Sequence, residues 1–176
     1  EDLANPSLAL ARQFKLAQDV LNVTIPVRLF IQKELSGALR DEPRSNPPAI
    51  ITGYTLLSGY RPVDLAFVCG RHLTYYRAKH MDQAHLDVLK QVVRKFVDAG
   101  GQADIKRCMQ ATEVTALRAG LLLCDDVDTA VRMTQQIASE STADLAPRDK
   151  VKEIVIYSIS ESYFRLREQL GIQIKV

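Results

Sequence analysis

The sequence contains no tryptophan, and aromatic residues make up only 6% of its 176 positions, so a surface on which nucleic-acid bases could stack is poorly supplied. It also lacks an excess of either charge. Twenty-three Lys and Arg stand against 21 Asp and Glu, a formal net charge of +2, and both signs are spread along the chain. That balance gives no electrostatic case for nucleic acid or an anionic membrane as partner. No apolar run approaches the roughly 20 residues of a membrane span, and no secretory signal is visible. The three cysteines, Cys69, Cys108 and Cys124, are odd in number and widely spaced. They suit reduced thiols in a cytoplasmic protein better than a disulfide framework. No internal repeat is present.

What is there is ordinary for a globular protein: 47% apolar and 25% charged residues. The length suits one domain, residues 1–176, with a sizeable core. The chain opens at Glu1 rather than Met, and we expect it to be part of a longer protein.

Asn5-Pro6 is a cap followed by Pro at a first helical position, and Leu10, Phe14, Ala17, Val20 and Leu21 recur at helical spacing. A helix is predicted over 6–21. Residues 26–32, Pro-Val-Arg-Leu-Phe-Ile-Gln, alternate and carry β-branched and aromatic side chains, which predicts a strand. Residues 41–48 hold three prolines and read as a loop. Ala49 to Gly53 is a second strand, and residues 37–40 supply a possible third.

Beyond residue 53 every pattern is helical. Arg61-Pro62 opens a helix to about Ala78. Asp82 caps another that Gly100-Gly101 stops. A third covers Ala103 to Cys124. Asp126 caps a fourth running to about Ser139, and a fifth runs from Pro147 to Gly171. Its first half is apolar at nearly every turn, which predicts central burial or packing on two sides, and the tail from Ile172 to Val176 alternates like a strand. The expected fold is α+β: a small antiparallel sheet near residues 23–53, then about five helices.

Two segments carry a more specific signal. The first is Gly70-Arg71-His72-Leu73-Thr74-Tyr75, followed by His80. The second is Glu113-Val114-Thr115-Ala116-Leu117-Arg118-Ala119-Gly120. In order and spacing they resemble the core of the gluzincin-type zinc metallopeptidases, the family of the bacterial heat-shock membrane protease and the CAAX prenyl protease. That family has Gly-His-Glu-Leu-x-His on one helix and Glu-x-x-Ala-Asp-Arg-Ala-Gly on a second. The strands placed before the first helix agree, and the resemblance covers roughly residues 10 to 140. The chain is also similar to inactive domains attached to helical-repeat proteins of bacteria.

The resemblance implies a zinc site that this sequence has lost. Two His at i and i+4 share one helical face and bind the same ion, while the Glu between them takes a proton from the metal-bound water. Here Arg71 stands at the first His position, His72 at the Glu position and Tyr75 at the second His position; His80 matches a later, non-ligand His. Only Glu113, matched to the third ligand, is kept. Arginine has no lone pair to give a metal. The expectation is therefore a pseudoenzyme with no catalytic residue, no cofactor and no metal, acting as a structural or protein-interaction module for an unidentified protein partner. Arg71 is expected to replace the metal's charge by pairing with Glu113. Two other readings remain open: a metal-dependent hydrolase with an unusual site built on His72, Glu113 and a third group, and a helical adaptor unrelated to peptidases.

Other residue groups read as structural. His72, His80 and His85 are spaced by eight and five residues, which does not put them on one helical face at ligand distance. Cys69 and Cys124 lie in apolar runs and read as small buried hydrophobes. Asp125-Asp126-x-Asp128 lacks a calcium loop and reads as helix capping. Tyr75-Tyr76-Arg77 and Tyr163-Phe164-Arg165 read as core edges, with a partner-facing surface as the alternative.

Overall fold

The computed structural model describes residues 8–24, 26–33, 35, 39–42, 47, 49–79, 95, 98, 100, 105–137 and 145–172. Within them the α+β order expected from the sequence is found. Helix α1 (Ala9–Val20) is followed by strands β1 (Arg28–Gln32), β2 (Arg40–Glu42) and β3 (Ala49–Gly53). The helices α2 (Thr55–Ser58), α3 (Pro62–Lys79), α4 (Ile105–Cys124), α5 (Val127–Gln136), α6 (Pro147–Ser158) and α7 (Glu161–Gln169) complete it.

The sheet is mixed rather than antiparallel. Its order is β1-β3-β2, with β1 parallel to β3 from Arg28↔Ala49 to Gln32↔Gly53, and β2 antiparallel to β3. No hairpin joins β1 to β3: β2 intervenes and lies on the far side of β3, so β3 is free to run in the direction of β1. Central position explains why Ala49, Ile50, Thr52 and Gly53 are buried while β1 is mostly exposed. Asp41 and Glu42, expected in a loop, belong to β2. The prolines that suggested a loop follow them.

Helix α1 ends where the sequence changes character. Asn22 takes φ +51°. Its N–H donates to Asp19 O, and Val23 N–H donates to Gln18 O at 2.8 Å, the paired bonds of a Schellman cap. Helix α3 starts on Pro62, and Asp64 in its first turn accepts from Arg61 N–H at 3.0 Å, closing half a capping box. Asp126 caps α5 as expected, accepting from Asp128 N–H and from the Thr129 hydroxyl.

Helix α3 is the centre of the domain. Residues 65–70 are all buried, as are Leu73, Thr74 and Tyr76, with α1 packed on one side through Leu10, Phe14 and Ala17 and α4 on the other through Leu117 and Leu121. Glycine sets the α3–α4 approach. A Cβ on Gly70 would stand 3.0 Å from Ala119 O, and one on Gly120 would stand 3.0 Å from Phe67 O and 2.8 Å from its ring. Each helix therefore presents a hole to the other's backbone, and the side chains one turn away are drawn together.

The C-terminal segment departs from expectation in two ways. It is two helices, because Ser160 interrupts it: the Ser160 hydroxyl accepts from Tyr163 N–H and caps α7. Of the two expectations for its first half, central burial is not met, although α6 packs on both α4 and α5. Val155 and Ile156 are 44% and 49% exposed, and Ile159 is 76% exposed. Only the face bearing Lys150, Ile154 and Tyr157 is buried. Helix α7 ends at Gly171, φ +67°, as the sequence indicates. The predicted helix after Asp82 lies almost wholly outside the described residues. Within it Lys95 and Asp98 are helical and Gly100 has φ +84°. The first cap at Asn5-Pro6, the first half of the predicted strand over 37–40 and most of the tail strand also lie outside the described residues; Arg40, at the end of that predicted strand, opens β2.

Candidate functional site

Helical geometry divides the polar residues of α3 into two adjacent stripes. Arg71 and Tyr75, at i and i+4, point to α4; His72 and Tyr76, one residue on, point to the sheet. The first stripe meets Glu113. Arg71 Nη2 lies 3.0 Å from Glu113 Oε1 and 3.2 Å from Oε2, and the Tyr75 hydroxyl donates to Oε2 in a short hydrogen bond. The guanidinium also lies over the Tyr75 ring, 5.8 Å from its centroid. A third cation completes the group. Lys150, from the first turn of α6, places Nζ 3.5 Å from Glu113 Oε1.

This cluster is inside the protein. Side-chain exposure is 4% for Glu113, 12% for Arg71 and 2% for Lys150. Burial is the largest single influence on the Glu113 carboxyl and acts to raise its pKa. The Arg71 charge, the hydrogen bonds from Tyr75 and Arg71, and the Lys150 charge together outweigh it, so the pKa is lowered and the group is an anion. The Tyr75 phenol is pushed up, first by burial and further by its bond to Glu113, and stays protonated.

The second stripe meets β2. His72 Nε2 lies 2.9 Å from Asp41 Oδ1, and the Tyr76 hydroxyl donates to the same oxygen at 2.7 Å. Burial first, then Asp41, raises the Tyr76 pKa. Thus the four motif-matched positions separate: Arg71, Tyr75 and Glu113 come together, and His72 faces a different carboxylate. His80 and His85 lie outside the described residues. Among the described residues, no three His, Cys, Asp or Glu side chains gather at metal-holding distance.

The zinc that the peptidase resemblance implies does not fit this donor set. Arg71 has no lone pair, and a dication would have to share one carboxylate with a guanidinium and an ammonium. The arrangement can hold charge and tie three helices together. An ionised, fully engaged carboxylate with a lowered pKa is a poor proton acceptor at neutral pH.

Sequence reasoning found Arg71, Tyr75 and Glu113 but missed Lys150 and Asp41. A signal for Lys150 was present: it stands four residues before Ile154 and seven before Tyr157, on the buried face of α6. For Asp41 there was none, because only the pairing of β2 with β3 brings it over α3.

Asp125, read from sequence as part of a capping run, has a different role. It takes φ +51° beyond the end of α4, and its carboxylate pairs with Arg167 at 2.5 and 2.6 Å and accepts from the Tyr163 hydroxyl at 3.1 Å. Arg167 is 2% exposed. Cys69 and Cys124 are free and buried, as expected. Burial pushes both thiols up, Cys124 to about 12, leaving neither as a thiolate.

No protein family, curated protein or solved structure matches this chain.

Proposed function

We propose that this chain is a metallopeptidase-like module without hydrolytic activity, serving as a structural or protein-interaction element. One observation carries the reading. Arg71, Tyr75 and Glu113, the positions matched to three metal ligands, converge on one buried point. Two cations, Arg71 and Lys150, meet at that point, and His72, matched to the general base, is engaged by Asp41. The alternative of a hydrolase using His72 with Glu113 has less support, since the two side chains are committed to different partners. Free, buried Cys69 and Cys124 favour a reducing, cytoplasmic setting. No helix among the described residues is long and apolar enough to cross a membrane. The near-neutral charge favours a protein partner over nucleic acid.

The test is to rebuild the motif. A chain carrying Arg71→His, His72→Glu and Tyr75→His should bind about one zinc per chain, measured by atomic absorption after dialysis, and the native chain should bind none. Native protein that carries stoichiometric zinc, lost in Glu113→Gln, would establish the hydrolase alternative. A rebuilt variant that folds but takes up no zinc would remove the peptidase resemblance and leave a helical adaptor.

A further inference from the structure

A cavity of about 550 Å³ lies between α4 and the α6–α7 pair, within the range of roughly 300–1,000 Å³ that small-molecule sites occupy. None of its described lining residues belongs to the Glu113 cluster, so it stands independently of the function proposed above. Its apolar surface comes from Leu21, Ala119, Leu122 and Leu166. Two cations, Arg118 and Arg165, also line it, and no Asp or Glu does among the described lining residues. The wall hydroxyls of Thr74 and Thr115 donate to carbonyls of their own helices at 2.8 Å; Tyr157, Ser162 and Gln169 add neutral polar groups to the wall, and the two guanidiniums are the charged donors among the described lining residues.

Arg118 is an oriented cation. Its guanidinium lies over the Tyr157 ring, 5.0 Å from the centroid. It is held from behind by Glu153 at 3.2 Å, and Glu153 is not among the lining residues. Its side chain remains 43% exposed. Arg165 is 71% exposed and paired within its own helix to Glu161. An oriented guanidinium beside a second one, above an aliphatic floor, complements an anionic head attached to an apolar tail.

We propose that this cavity binds a small amphiphile of that class, a medium-chain carboxylate, with its head at Arg118 and Arg165 and its tail along Leu122 and Leu166. The test uses dodecanoate, below its aggregation concentration, titrated into the full chain by calorimetry. Dodecyltrimethylammonium, with the same tail and the opposite charge, is the control. Dodecanoate should bind saturably at one molecule per chain and about tenfold more tightly than the cation. Arg118→Met should weaken it about tenfold and Arg165→Met about threefold. Arg165 is exposed, so its variant keeps the test valid if Arg118→Met fails to fold. Absence of saturable binding, equal affinity for the two amphiphiles, or undiminished affinity in Arg165→Met would each overturn the proposal.

Discussion

Lys150 and Glu113, 37 residues apart in sequence, meet inside the domain with Nζ 3.5 Å from Oε1 and almost no exposure on either side chain. Arg71 reaches the same carboxylate from α3, so one anion faces a buried ammonium and a partly buried guanidinium from two helices. Glu113→Gln would leave both without their counter-charge and should destabilise the domain by roughly 3–5 kcal/mol. Lys150→Met keeps length and packing and leaves Arg71 in place, and should cost less. The double variant should lose less than the sum of the two. Urea denaturation of the four proteins measures this, and strict additivity would show that the pair is uncoupled.

The acid limb of stability follows from the same group. Because the folded-state pKa of Glu113 lies below its ordinary value of 4.5, the unfolded chain binds the proton first as pH falls. The contribution is therefore full above the ordinary value and lost as pH drops through the folded one. Asp64, held by Arg61 and Arg132 against the effect of its own burial, and Asp126, bonded to Thr129, are lowered as well and add in the same direction. Stability should fall on acidification below about pH 4.5, and Glu113→Gln should flatten that limb. A variant whose acid limb is as steep as the native one would contradict the assignment.

Gly120→Ala should destabilise, although alanine is the better helix former by about 1 kcal/mol. The added methyl would meet the Phe67 ring at 2.8 Å and its backbone oxygen at 3.0 Å, and backbone cannot turn aside. A net loss of about 1–3 kcal/mol is expected. An unchanged or raised Tm would mean that α3 and α4 are free to separate.

Asp125 and Arg167 should respond unequally. Asp125→Asn keeps a residue that tolerates φ +51° but strips the charge from the partner of a guanidinium only 2% exposed; a loss of about 3 kcal/mol is expected. Arg167→Met removes the buried cation itself, and Asp125, 44% exposed, can turn to water, so about 1 kcal/mol or less should be lost. Thermal melts of the two variants decide it: a larger loss in Arg167→Met would reverse the argument.

The sequence by itself determined what depends on neighbours along the chain. The period of Leu10, Phe14 and Ala17, the starts at Pro62 and Pro147, the cap at Asp126 and the stop at Gly171 are local facts, and each was legible. So was the order of sheet and helices, and so was the spacing that places Arg71 and Tyr75 on one face of α3. Tertiary structure alone decided which distant charges meet. That β3 runs parallel to β1, that Asp41 sits over His72, and that Lys150 and Arg167 are buried on carboxylates of other segments all depend on how elements stack. Helical periodicity marks a face as buried without naming what lies opposite, and a lysine reads as solvated until a buried carboxylate is shown to face it. For the same reason the apolar run from Ile154 to Ile156 suggested a helix that is either central or packed on two sides. The centre was already filled by α3, whose close approach to α4 at two glycines left the C-terminal helices outside.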